Sequence, residues 1–304
     1  MATPMRSTDF RSVVEPILNE VFDGVYDQRA DEWKQVFNES KGIARTYHEE
    51  PVLYGFGAAP ELPDGMAVTY QSGGILFNQR YVYKVYGLAF ALTKVLVEDG
   101  DHIRIGQTYA KHLAQSLIET KETLAANILN RAFNGSYTGG DGVSLISASH
   151  PLVSGTFSNQ LTSPAALSQT SLEQMLIQLR NAVDNNGKRI RLTPKKIVTG
   201  PANVFQAELL INNQYRVSSA DRDMNPVKSM GLLSGGQANM SRMTSTTAWF
   251  VQTDAQEGMK CLMRRALDKS MEGDFETDSM RYKATERYAL GWTDPRALFG
   301  TAGV

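Results

Sequence analysis

Four histidines, a single cysteine and scattered hydroxyls are the residues of this chain that could support nucleophilic or metal chemistry. The nearest approach to a nucleophilic pair is Ser147-Ala-Ser149-His150-Pro151, which sets a hydroxyl beside an imidazole. Acyl transfer needs a serine whose proton passes to a histidine oriented by a third group, and such triads are drawn from residues distant in sequence. A serine next to a histidine in a turn is ordinarily a local hydrogen bond, so a hydrolase centred on Ser149 and His150 is the weaker reading. His102 and His112 stand ten residues apart, which puts them on different faces of a helix. His48-Glu49-Glu50-Pro51 lacks the second histidine of a zinc-protease motif and runs into a helix breaker. Cys261 has no cysteine partner and lies in an apolar run, where a packed small hydrophobe is expected. Gly55-Phe-Gly57-Ala-Ala-Pro60 imitates a dinucleotide fingerprint, but proline replaces its third glycine and Glu61 to Gly65 cannot continue as the required helix. The basic cluster Arg180, Lys188, Arg189, Arg191, Lys195 and Lys196 could meet phosphates, although a solvated helix end and strand edge explain it better. No catalytic, cofactor-binding or metal-binding residue is expected, and no cofactor.

Composition narrows the classes further. The 304 residues carry 31 Lys plus Arg against 32 Asp plus Glu, a net charge of −1 that excludes a dominantly basic nucleic-acid binder. One cysteine excludes an intrachain disulfide framework. No apolar stretch approaches the ~18–20 residues of a membrane span, so no membrane is expected among the partners.

The elements are legible from periodicity. Val13, Val14, Ile17, Leu18, Val21 and Phe22 recur at helical spacing and predict a short amphipathic helix, docked on its own domain or reaching a neighbour as an arm. Eight of residues 51–85 are Pro or Gly, which rules out a long helix there. Pro63-Asp64-Gly65 reads as a tight turn and Arg80 to Tyr86 as a strand, so the segment is expected to form a long hairpin-like ribbon. A two-stranded ribbon buries too little apolar surface to stand alone and needs cover. From Asp101 to Phe133, Ile105, Tyr109, Leu113, Leu117, Thr120, Leu124, Ile128 and Ala132 mark one stripe, widened by Ile118, Ala125 and Leu129. They predict a spine helix of roughly 45 Å over 103–133. A second helix is expected from a Thr170/Glu173 capping box to a stop at Gly187, with Leu172, Met175, Leu176, Leu179 and Val183 inward. Lys196–Thr199 reads as a buried strand, and Gly200-Pro201 opens a third helix through Val204, Phe205, Leu209 and Leu210. Asp221 to Asn239 is loop-rich; strands follow at Ala248–Val251, Met259–Met263 and between Phe275 and Leu290, the last with Met280, Tyr282, Ala284, Tyr288 and Leu290 on one face.

A long spine, a ribbon that cannot stand alone and an arm describe a building block better than a catalyst. Several stretches resemble the major capsid proteins of tailed bacteriophages, the fold named after phage Hong Kong 97 (HK97), and look closest to the Mu-like major head subunit. They are Asp141 to Pro151, Ser171 to Gly187, Leu192 to Val198, Ala202 to Leu210, and Ala284 to Phe299. The resemblance implies an α+β, HK97-like capsid fold: an N-terminal arm at 1–45 and an extended loop with its lead-in at 46–100, ribbon about 51–85. A peripheral domain follows at 101–164 around the spine, then an axial α/β domain at 165–265 and a return strand with the C-terminal segment at 266–304. It further implies a non-enzymatic protein that assembles with itself, as hexamers and pentamers, into an icosahedral shell around double-stranded DNA held by weak non-specific contacts. Scaffold and portal proteins, with decoration proteins as optional additions, are the implied partners. The implied location is the virion, assembled in the host cytoplasm. Because the chain starts almost directly at the arm, the resemblance implies either a separate scaffold or a scaffolding segment that is already absent from this sequence. An encapsulin-like cage around protein cargo is the alternative within the same fold.

Overall fold

The helix expected around Val13–Phe22 extends well beyond those residues. In the computed structural model, which describes residues 7–28, 31–42, 44–93, 95–96, 102–216, 223–274 and 279–303, α1 spans Ser7–Gln28. Val14, Leu18 and Phe22, four residues apart, are all buried. They pack on Ala110, Leu113, Ala114 and Leu117 of α2, the spine, at His102–Asn130. The arm helix thus docks on its own chain, the first of the two readings. The expected endpoints Asp101, Asp221 and Phe275 lie outside the described residues.

The spine ends three residues short of its expected terminus, with 131–133 forming a turn. Its buried face is also rotated from the expected stripe. Tyr109 is half exposed and rests on Phe90, while Ala110, Ala114, Lys121, Glu122 and Ala126 are buried. The reason is steric. Small residues let α1 approach closely, and at Gly106 an added Cβ would come within 3.3 Å of both Leu18 and Leu92.

Four strands form the sheet beneath the spine, in the order β1 (Asn38–Lys41), β10 (Met259–Asp274), β11 (Ser279–Trp292), β4 (Lys84–Thr93). The β1–β10 pair is parallel and the other two are antiparallel. β10 is far longer than the expected Met259–Met263. Its outer half carries Arg264, Arg265, Asp268 and Lys269, whose charge masked the strand, and register shifts at Met263/Arg265 and Arg265/Asp268 break its alternation. On β11, Tyr282, Ala284 and Tyr288 are buried as expected, and the even position skipped between them, Glu286, is buried too.

After the spine, β5 (His150–Pro151) pairs antiparallel with β6 (Thr156–Phe157). The second sheet runs β12 (Leu298–Thr301), β9 (Trp249–Thr253), β7 (Pro194–Thr199), β8 (Gln237–Asn239). Helices α3 (Gln169–Arg180) and α4 (Val204–Asn212) cover it, burying Leu172, Met175, Leu179, Ala207 and Leu210 against Ile197, Trp249, Val251 and Phe299. The capping box of α3 is Ser168 with Ser171 rather than Thr170 with Glu173: each seryl hydroxyl accepts from the other's backbone N–H. Glu173 instead pairs with Arg216 at 2.7 Å. The helix stops at Arg180, and Gly187, at φ +79°, belongs to the turn beyond. In α4, Phe205 faces outward, 83% exposed.

Residue 265 falls inside β10, whose ladder with β11 belongs to the first sheet from Met259 onward. The C-terminal β12 pairs with β9 in the second sheet. A core of Trp33, Phe37, Ala125, Leu129, Ile146, Phe250, Cys261 and Tyr288 joins the spine's C-terminal half to both sheets.

Candidate functional site

The Ser149/His150 pair does not form. His150 is 2% exposed, and both its ring nitrogens are engaged: Nδ1 with Asp141 Oδ2 at 2.6 Å and Nε2 with Asn159 Oδ1 at 3.0 Å. Asn159 donates through Nδ2 to the carbonyls of Leu145, Pro295 and Leu298, and its Oδ1 also accepts from Ser147 N–H. That arrangement fixes the amide's orientation, so Nε2 donates to Asn159 while Nδ1 is taken up by the Asp141 carboxyl group. A ring engaged at both nitrogens has no free site to accept a serine proton. Ser149 is exposed, and its hydroxyl lies 3.4 Å from that of Ser147. The cluster is a clasp joining the segment after the spine to the C-terminal turn. Neither Asp141 nor Asn159 stood out in the sequence; a polar pair flanking a histidine at nine residues on either side was the only trace.

Cys261 is fully buried and its thiol is pushed up to about 12 by that burial, the condition of an inert structural cysteine. Among the described residues, no group of three or more His, Cys, Asp or Glu is placed to hold a metal, and no helix is long and apolar enough to cross a membrane. Of the basic cluster, Lys188 and Lys196 donate to backbone carbonyls of Phe56 and Gln35, while Arg189, Arg191 and Lys195 face solvent.

Two charged clusters lie where the stripe predicted only apolar residues. Lys121 Nζ sits 2.6 Å from Glu286 Oε2 and donates to the Tyr26 hydroxyl at 2.8 Å; Tyr26 in turn donates to Glu286 Oε1 at 2.5 Å. Burial and the Glu286 charge push the Tyr26 pKa upward, keeping the hydroxyl a donor. The rings of Tyr26, Trp33 and Tyr288 stand 5.2–5.9 Å from the ammonium. This triad fastens α1, the spine and β11 together. Beside it, the Glu122 carboxylate accepts from the N–H groups of Glu32 and Trp33, at 2.8 and 3.0 Å. Glu32 accepts from Ser241, and Arg242 bridges Glu32 and Glu119.

Burial pushes the Glu122 pKa up to about 7. Between the ordinary carboxylate range and pH 7 the folded protein therefore holds a proton that the unfolded chain has released. This group's contribution to stability is full at acid pH and falls as pH rises through that window, by about 1–3 kcal/mol. Glu122→Gln should remove the slope. In urea unfolding at pH 5 and pH 8 the variant is expected to gain on wild type by that amount at the higher pH, and a pH-independent difference would refute the assignment.

The exposed apolar surface is concentrated on the ribbon. β2 (Tyr47–Tyr54) pairs antiparallel with β3 (Gly74–Val82), joined by the loop 55–73 with its turn closed by Met66 N–H on Pro63 O. The base is anchored: Glu50 Oε2 accepts from Lys260 Nζ at 2.7 Å and Thr293 Oγ1 at 2.5 Å, and Tyr81 OH meets Thr293 at 2.6 Å. Further out, Asn185, Asn186 and Lys188 donate to the backbone carbonyls of Leu53, Gly55 and Phe56. The side chains beyond gain no cover. Leu53, Phe56, Leu62, Met66, Val68, Tyr70 and Ile75 are between 55% and 95% exposed. A contiguous patch of that kind on a polar-rimmed protein marks an interaction site.

An anchored arm helix, a spine crossing a four-stranded sheet, an exposed ribbon and a separate α/β layer together define the HK97-like capsid fold. The chain belongs to the phage capsid protein family, whose sequence model matches residues 79–300. Solved structures agree on the fold. The capsid of the cyanophage P-SCSP1u aligns at TM-score 0.57 and 11% identity over 91% of this chain and 89% of its own. A virus-like particle from Pyrococcus furiosus aligns at 0.53 and 12% over 94% and 98%. The capsid of an empty GTA particle aligns at 0.52 and 12% over 90% of each chain. No curated protein sequence matches the chain.

Proposed function

We propose that this chain is a major capsid protein that assembles with itself, as hexamers and pentamers, into an icosahedral shell around double-stranded DNA, with no catalytic activity of its own. The observation that carries the reading is the ribbon: an anchored hairpin in a capsid-family chain, presenting a row of large apolar side chains that its own subunit leaves in solvent. Heterologous contacts that close into rings supply cover of that kind. The near-zero net charge suits a shell that contains DNA without gripping it. In this reading the chain is of the Mu-like subfamily and works with scaffold and portal proteins during assembly in the host cytoplasm. The spine and first sheet then form the peripheral domain, and the second sheet with α3 and α4 the axial one, facing the capsomer centre.

The likeness to the Pyrococcus particle favours one second reading within the fold, a cage around protein cargo. Electron microscopy of the purified protein tests the shared part. Closed particles are expected, and a chain that stays monomeric at high concentration would overturn both readings. Nuclease-protected DNA recovered from particles made during infection supports the capsid, and co-purifying protein cargo without DNA supports the cage.

A further inference from the structure

The outer part of the ribbon is tied to its own subunit by the turn 184–188, beyond the end of α3. Asp184 shapes that turn. Its Oδ1 accepts from the N–H groups of Asn186 and Lys188, at 2.9 and 2.8 Å, and its carbonyl accepts from Gly187 N–H at 3.1 Å. Three side chains reach from the turn to the ribbon backbone. Asn185 Nδ2 donates to Leu53 O at 2.8 Å, Asn186 Nδ2 to Gly55 O at 2.8 Å and Phe56 O at 3.3 Å, and Lys188 Nζ to Phe56 O at 2.5 Å. The two carbonyl oxygens that face Asn186 only accept, so the contact requires a group with protons to give.

The residue that supplies those protons precedes a glycine, and the turn demands both. Gly187 sits at φ +79°, which side chains disfavour, while the space where a Cβ would stand is open; conformation rather than crowding selects glycine there. An asparagine followed by glycine is prone to lose its amide, because no side chain shields the glycine nitrogen from the asparagine Cγ. In that reaction Gly187 N bonds to Asn186 Cγ, the Cγ–Nδ2 bond breaks, and Nδ2 leaves as ammonia with the Gly187 amide proton. Water then opens the cyclic imide at either carbonyl, giving an aspartate or its isoaspartyl isomer. The seated ribbon opposes the first step, since it holds Nδ2 on Gly55 O while Gly187 N–H is held on Asp184 O.

We propose that Asn186 is a deamidation site that works as a one-way latch on the ribbon. Seated, the ribbon protects the amide; lifted, it leaves Asn186 free to cyclise. The product carboxylate has no proton to return to Gly55 O and Phe56 O and repels both, so the outer ribbon no longer reseats on its own turn. Asp184, two residues away, adds a second negative group to the same turn. Conversion thereby leaves the ribbon's apolar row to another copy. That last consequence rests on the shell reading, whereas the reaction and the release do not.

The unassembled full-length chain tests it. During incubation at mildly alkaline pH, peptide mass spectrometry should find Asn186 converting to the acid, with the exposed Asn134, which also precedes a glycine, as internal reference. Lys188→Met removes a neighbouring tie to the ribbon and keeps the Asn-Gly pair. It is expected to speed conversion at 186 severalfold and leave Asn134 unchanged. Asn186→Gln, which keeps an amide but needs a larger ring to cyclise, should stay unconverted. Hydrogen exchange of the amides at 53–57 should be about tenfold faster in Asn186→Asp than in wild type, the scale of losing two hydrogen bonds, with circular dichroism unchanged. Aged wild type converted at 186 should show the same rise, and it carries the test if Asn186→Asp fails to fold. Conversion at 186 no faster in Lys188→Met than in wild type would overturn the latch, as would an amide at 186 that survives while Asn134 converts in that variant, or unchanged exchange at 53–57 after conversion. A wild-type chain that forms no particles would instead sink the shell reading, and these readouts would stand without it.

Discussion

Lys121→Met is expected to destabilise the subunit by about 3–5 kcal/mol, because it strands Glu286 in the interior with its charge unbalanced. Glu286 is 1% exposed, and after the substitution its remaining hydrogen bond comes from the Tyr26 hydroxyl. The methionine stem fills much of the same volume, so lost packing contributes little and the penalty is electrostatic. Lys121→Met combined with Glu286→Leu should recover most of the loss, since replacing both members of a buried pair with apolar groups of similar size is often neutral. Urea unfolding of the two single variants and the double variant at pH 7 closes the cycle. A cost below about 1 kcal/mol for Lys121→Met would mean that water reaches the pair, and the triad would then have no part in holding α1 to the spine.

That triad also marks where sequence reading failed. The spine was legible because Leu113, Leu117, Ala125 and Leu129 repeat at helical spacing without an interrupting proline, and those residues are buried as expected. Lys121 and Glu122 lie on the same buried face, yet a charge inside an apolar stripe is tolerable only when something distant satisfies it. For Lys121 that group is Glu286, 165 positions along the chain; for Glu122 it is a pair of backbone amides at 32 and 33. Local periodicity carries no information at that range. The same limit explains the strand ends. The Trp249–Thr253 strand and the inner part of β10 are apolar and were found, whereas the outer part of β10 has one face in solvent and its charges read as loop. The helix cap slipped by two residues because Ser168/Ser171 and Thr170/Glu173 satisfy the same pattern of hydroxyl and acceptor three apart. Only the actual backbone turn decides between them. The role of His150 in joining the 141–159 segment to the C-terminus depends on Asp141 and Asn159 folding back around it, which no local pattern shows.

Removing Pro60–Gly73 separates the stability of the subunit from its assembly, and the expected effects on the two are opposite in size. The deleted side chains bury almost nothing within the subunit: Tyr70 is 95% exposed and Met66 66%. The bonds lost are chiefly Gly57 N–H to the Gln71 side chain and the Pro63–Met66 turn. The five residues Gly55–Ala59 remain to connect Tyr54 to Gly74, which pair directly at the end of the ladder, and a five-residue connection is an ordinary hairpin length. Shortening the loop also lowers its closure entropy slightly. Thermal and urea unfolding should therefore differ from wild type by less than about 1 kcal/mol. Assembly should be abolished, because Leu62, Met66, Val68 and Tyr70, four of the seven uncovered side chains, are then gone and a neighbour gains far less area by approaching. Light scattering across a concentration series reads the second effect directly. Particles forming at the wild-type concentration would show that the loop is no part of the contact between copies. A variant that unfolds would show that these side chains are packed within the subunit, contrary to their exposure. Between those outcomes the expected one, a stable and permanently monomeric subunit, is the behaviour of a chain whose core is complete in isolation and whose ribbon is made for another copy.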